Sequence, residues 1–146
     1  MRVRVQEADF DLAAEAARLE ASGAGAVVTF TGVVRGGDVA AMTLEHYPGM
    51  TEAALEEIAV EARRRWPLTG LTIIHRVGRL APGARIMMVA TASAHRAAAF
   101  EAAEFLMDYL KTRAPFWKKE ETPEGARWVD AREVDDAAAA RWAKAD

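Results

Sequence analysis

Apolar residues recur along this chain with two periods, one near two residues and one near 3.6, and the switches between them mark its elements. Arg2 to Val5 alternates and predicts a short strand. Asp11 to Ser22 sets Leu12, Ala16 and Leu19 on one helical face and is closed by Gly23 and Gly25. Ala26 to Val34 is β-branched and mostly apolar, which predicts a buried strand. Gly36-Gly37-Asp38 breaks it before a further strand from Ala41 to Tyr47. Thr51 is placed to cap a helix in which Leu55, Ile58, Ala59, Ala62 and Trp66 recur at helical spacing, and Pro67 stops it. Leu71 to Val77 and Arg85 to Thr91 read as strands joined by a hairpin-like turn at Pro82-Gly83. Ser93 is the expected N-cap of a third helix with Phe100, Ala103, Met107 and Leu110 facing inward, and Pro115 ends it near Lys111 to Thr112. There follow an extended stretch containing Trp117, a turn from Pro123 to Gly125, a strand from Arg127 to Ala131, and an Ala-rich helix from about Glu133. The order is βαββαββαβα, and its mixture of hairpins and helical crossovers predicts an α+β fold in one domain spanning residues 1–146.

Composition narrows the function. With 51% hydrophobic and 28% charged residues, the chain suits a globular protein rather than a disordered one. No apolar run approaches the roughly 20 residues that span a bilayer, and the start lacks a signal-peptide core, so a cytoplasmic protein without a membrane partner is expected. A net charge of −3 gives no electrostatic reason for a nucleic-acid partner. The absence of Cys excludes disulfides, thiolate nucleophiles and Cys-based metal sites. His46, His75 and His95 are scattered without ligand spacing, so neither a metal nor a cofactor is expected.

One bias bears on chemistry. The chain carries 15 Arg but four Lys, and three of these, Lys111, Lys118 and Lys119, fall within nine residues. Abundant Ala points to GC-rich codon usage, under which Arg replaces Lys wherever the surface is indifferent. Lysines that persist would then mark positions needing a compact, titratable amine. Chance clustering on a solvated helix end explains the same numbers.

Three segments are candidates for a site. Ser93-Ala94-His95-Arg96 sits where a strand hands over to a helix N-terminus, whose free N–H groups and dipole favour anions. Two cationic side chains there oppose the dipole, which a bound phosphate or carboxylate would relieve, as would simple exposure to solvent. Lys111 to Glu120 joins a helix end to an aromatic stretch. Cations are comfortable at a helix C-terminus, yet a partly desolvated Lys beside other cations has a lowered pKa and becomes a usable acid, base or nucleophile. Arg35 ends a strand and opens into Gly36-Gly37, a common place for a ligand-binding cation, although taken by itself it reads first as an ordinary surface Arg on a turn.

Taken in order, LEHYPGMTE (Leu44 to Glu52), IHRVG (Ile74 to Gly78), SAHR (Ser93 to Arg96), DYLKTRAPFWKKE (Asp108 to Glu120) and TPEGARWVDAR (Thr122 to Arg132) resemble the large, catalytic subunit family of molybdopterin synthase from about residue 24 onward. The resemblance implies an α/β-hammerhead domain with added β-strands. It also implies an activity, the conversion of cyclic pyranopterin monophosphate to molybdopterin by installing two dithiolene sulfurs. The sulfur donor would be the C-terminal Gly-Gly thiocarboxylate of a small ubiquitin-like subunit, and the assembly a homodimer within a heterotetramer. By the same resemblance Lys111 and Lys118 are the catalytic lysines. Val33, Val34, Arg35, His95, Arg96, Lys111, Lys118, Lys119 and Glu120 fall on substrate-binding positions. Two departures touch the rim of the implied pocket: Val33 stands where relatives often have Lys, and the loop after Arg35 is short.

Geometry adds an expectation about assembly. His95 and Lys111 are 16 positions apart, which on one helix is on the order of 24 Å. A pterin phosphate is far shorter, so both residues would serve one substrate only if a symmetric dimer brought His95 and Arg96 of one chain to Lys111 of the other. Two rival readings are a non-catalytic scaffold for a ubiquitin-like tail and a phosphate-ester hydrolase. The second lacks any carboxylate cluster or metal motif beside the cations.

Overall fold

A computed structural model describes residues 1–129 and 133–144 and has the expected α+β character. In chain order the elements are β1 (Arg2–Gln6), α1 (Leu12–Glu20), β2 (Ala26–Val33), β3 (Ala41–His46), α2 (Met50–Arg65) and β4 (Leu68–Arg76). They continue with β5 (Gly78–Leu80), β6 (Arg85–Ser93), α3 (Arg96–Arg113), β7 (Phe116–Thr122), β8 (Gly125–Val129), α4 (Glu133–Ala140) and a closing 3-10 turn, Arg141–Lys144.

The strands form two four-stranded sheets, ordered β1-β4-β6-β2 and β5-β3-β7-β8. β1 runs parallel to β4, and the other pairings are antiparallel. Side-chain alternation in β4 and β6 divides their apolar residues between two faces. Ile73, Met87 and Val89 pack with Leu55, Ile58, Phe105, Leu106 and Leu110 of α2 and α3, while Ile74, Met88, Ala90 and Ala92 meet Phe10 and Leu19 on the α1 side. Helices on both faces are why these two strands read as nearly continuous apolar runs. Full burial of a side chain such as Phe105 or Leu55 contributes about 1.5–3 kcal/mol to holding the layers together.

Several expectations change in detail. The β4 and β6 strands do pair, but their connection is not a simple hairpin: β5 leaves it to join β3 in the second sheet. Gly49, with φ of 85°, is the N-cap of α2, and Glu52 accepts its N–H at 2.9 Å. Thr51 lies inside the first turn, fully buried. Ser93 is the last residue of β6, its hydroxyl donating to the His95 carbonyl, and His95 is the N-cap of α3. The inner stripe of α3 is Ala99, Ala102, Ala103, Phe105, Leu106, Tyr109 and Leu110. At 3.6 residues per turn Phe100 falls roughly 130° from the centre of that stripe, and it is 60% exposed. Ala26 to Val34 was expected to be buried, yet β2 is an edge strand with Phe30 and Val33 nearly half exposed. The extended stretch after α3 is the strand β7, and the last strand ends at Val129, residues 130 and 131 lying outside the described set.

Gly25 shows how the start of α3 is placed. A Cβ there would collide with the Ala94 carbonyl, and the Gly25 N–H donates to Ser93 O at 2.9 Å. The α1–β2 turn is thereby clamped against the residues that lead into His95.

Candidate active site

The site is assembled at the C-terminal end of α3, where the chain turns into β7. Pro115 cannot continue the helix, and Ala114 adopts extended geometry as its C-cap. The buried Thr51 hydroxyl donates to Pro115 O at 3.1 Å and accepts the Tyr47 N–H at 3.1 Å. One side chain thus ties the first turn of α2 to the crossover between α3 and β7.

β7 is then held by β3 in the register Leu44↔Lys118 and His46↔Phe116. Alternation sends Phe116, Lys118 and Glu120 to one face and Trp117, Lys119 and Glu121 to the other. The first set lines a cavity of about 370 Å³, shared with Lys111 at the end of α3, Val33 at the end of β2, Arg35 beyond it, and His75 of β4. That volume is enough for a small organic ligand. The second set faces away. Trp117 meets Tyr47 edge-on with centroids 4.7 Å apart, Lys119 lies over the Trp128 ring at 5.4 Å, and Glu121 bonds Arg79 at 2.9 Å.

The structure therefore brings together Val33, Arg35, Lys111, Lys118 and Glu120 and leaves four of the named positions elsewhere. Lys119 is on the outer face of the second sheet. Val34 is buried with Leu44 and Leu80, its backbone bonded to Ala84 and Gly83. His95 and Arg96 are exposed at the far end of α3, outside this cavity.

Electrostatics distinguish the two lysines. Lys111 is exposed at the cavity mouth, whereas Lys118 is half-buried. Burial, and next the neighbouring Lys111, lower the Lys118 pKa from 10.5 to about 8, against the opposing pull of Asp135 and Glu120. At pH 7.5 roughly a quarter of such amines are neutral, so Lys118 can both donate and accept a proton. Glu120 is further engaged by Arg127 at 3.8 Å. Among the described residues no group of His, Asp or Glu is arranged to hold a metal ion.

His75 and Asp135 line the cavity without having been singled out in the sequence as site residues, beside Phe116 of the aromatic stretch. His75 is 3% exposed, with the apolar Val5 and Met87 opposite it on the flanking strands. Its ring stacks on Phe116 at 3.8 Å and 16°, and Nδ1 lies 2.8 Å from Arg76 O. Burial, above all, holds its pKa at about 4, with Lys118 and Lys111 acting in the same direction. A polar residue at an inward position of an apolar strand was the available signal for His75; Asp135 reaches the cavity only through the packing of α4 against α3.

Fold and site together define an α+β protein with a pocket that brings Arg35, Lys111 and Lys118 together with Glu120 and Asp135. The sequence matches the MoaE protein family over residues 5–113, and the chain belongs to that family. It is 62% identical over 146 residues to the molybdopterin synthase catalytic subunit of Cereibacter sphaeroides, covering 97% of this chain and all of that one. Among solved structures, the molybdopterin biosynthesis MoaE protein of Burkholderia ambifaria superposes with a TM-score of 0.83 at 60% identity, covering 97% of this chain and 98% of that one. The molybdopterin synthase of Staphylococcus aureus gives 0.80 at 30% identity, covering 86% and 95%.

Proposed function

We propose that this protein is the catalytic subunit of a molybdopterin synthase, moving sulfur from the thiocarboxylate tail of a small ubiquitin-like subunit to cyclic pyranopterin monophosphate. The observation that carries the reading is the meeting of Lys111 and Lys118 in one cavity, with the Lys118 amine titrating at about 8. In each transfer a C–S bond forms at a pterin side-chain carbon as the thiocarboxylate attacks, and a C–O bond breaks. The departing oxygen takes a proton, which an amine of lowered pKa supplies. Water then releases the acyl tail as a carboxylate, leaving sulfur on the pterin. Lys118 is suited to the proton transfers, and Lys111 at the mouth to meeting the incoming tail. Arg35 adds the charge that neutralises the phosphate.

The length of α3 supports an assembly of two chains. His95 caps its first turn and Lys111 lies in its last, so a site using both draws on two chains. The half-exposed Phe30 and Val33 on the edge strand β2 support a chain-to-chain contact near this cavity. The homodimer would carry a small subunit at each of its two sites. Among the described residues no helix is long and apolar enough to cross a membrane, and the reading places the protein in the cytoplasm.

The test is reconstitution. Purified protein mixed with a thiocarboxylated small subunit and the pyranopterin precursor should form dithiolene, and Lys111→Ala should bind the small subunit but form none. Product from the Ala variant at the wild-type rate would return the protein to the role of a binding scaffold.

A further inference from the structure

His75 is a buried polar group that the sulfur-transfer reading leaves without a task. Its Nδ1 faces a backbone carbonyl at 2.8 Å, and a carbonyl only accepts, so Nδ1 carries the hydrogen. The neutral ring then has a lone pair on Nε2, and no described residue donates to it. Held between β4 and the Phe116 ring, the imidazole cannot swing away to find a partner. An apolar residue would fill this position, among Ile73, Ile74 and Val77, at lower desolvation cost. The carboxylates of the cavity wall face cations instead: Glu120 lies 3.8 Å from Arg127, and the Asp135 charge acts on Lys118.

We infer that His75 Nε2 is a substrate-binding acceptor, receiving an N–H or O–H of the ligand inside the cavity and so selecting a heterocycle with a donor edge rather than a bare anion. This rests on the pyranopterin reading of the site and deepens it: Arg35 holds the anionic end, and His75 recognises the ring system. Protonation would destroy the acceptor, and the depressed pKa of the buried ring keeps it neutral through the ordinary range of pH.

Paired amide substitutions separate the two nitrogens. Asn reproduces the position of Nδ1, the bond to Arg76 O, and Gln reproduces that of Nε2. Kd and KM for the pyranopterin precursor would be measured with the full complex, together with affinity for the small subunit and thermal midpoints. His75→Gln should keep precursor Kd within about threefold, and His75→Asn should weaken it about tenfold, with kcat and small-subunit affinity little changed. If the shorter Asn fails to support the fold, His75→Phe, which keeps the ring stack, carries the same expectation. Equal precursor binding by wild type and the variant lacking the Nε2 acceptor would overturn the inference. So would equal weakening in both amide variants with matching losses of thermal midpoint. A wild-type complex that forms no dithiolene would instead sink the functional reading itself.

Discussion

Replacing Lys111 by Met should raise the pKa of Lys118. The Met side chain keeps an unbranched stem at the cavity mouth and removes the charge. In the wild type Lys118 titrates at about 8 rather than 10.5, with burial the larger cause and Lys111 the next. Two unit charges ~4 Å apart repel by about 1 kcal/mol in bulk water and about 4 kcal/mol at an effective dielectric of 20. Lys111 is exposed, so the lower figure applies, and at 1.36 kcal/mol per unit the expected rise is about one unit. Because burial persists, Lys118 should still titrate below 10.5. The four lysines make the measurement tractable: reductive methylation with a carbon-13 label gives one signal for each, followed by NMR through the alkaline range. A rate that depends on neutral Lys118 would move its alkaline rise by the same unit. An unmoved Lys118 midpoint in the Met variant, or a wild-type midpoint at the ordinary lysine value, would refute the coupling.

Three further outcomes are expected. In heterodimers pairing a Lys111→Ala chain with a His95→Ala/Arg96→Ala chain, a site shared between chains leaves one intact pocket and about half the activity; complete loss would show unshared sites. Thr51→Val, which deletes a buried hydroxyl bonded on both sides, should cost about 1–3 kcal/mol in denaturant unfolding and loosen the crossover that sets Lys118 beside Lys111. Glu61, bonded by Arg64 and Arg65, has its carboxyl pKa lowered from 4.5 to about 2. Its ion pairs therefore stabilise the fold above about 4.5 and fade as pH falls through about 2. Glu61→Gln should lower stability at neutral pH by up to about 1 kcal/mol, since Arg64 is half exposed, and the gap to wild type should close in acid.

Much of this protein is local information and was legible as such. The periods of apolar residues place the helices α1, α2 and α3 and the strands β4 and β6, because a side chain's face is set by backbone geometry within a few residues. The motif around Lys111 to Glu120 carried the family, and with it Lys118, Arg35 and Glu120. Tertiary structure decided what depends on pairing across distance. That Lys118 enters the cavity while Lys119 turns away follows from β7 lying in one register against β3, a contact between segments some 70 residues apart. An apolar run at an edge and one at a sheet centre have the same composition, so only the strand order shows β2 to be an edge that leaves Phe30 and Val33 nearly half exposed. His75 was visible as a polar residue in an apolar strand, but its stack on Phe116 and its place in the cavity wall required the second sheet to close over it.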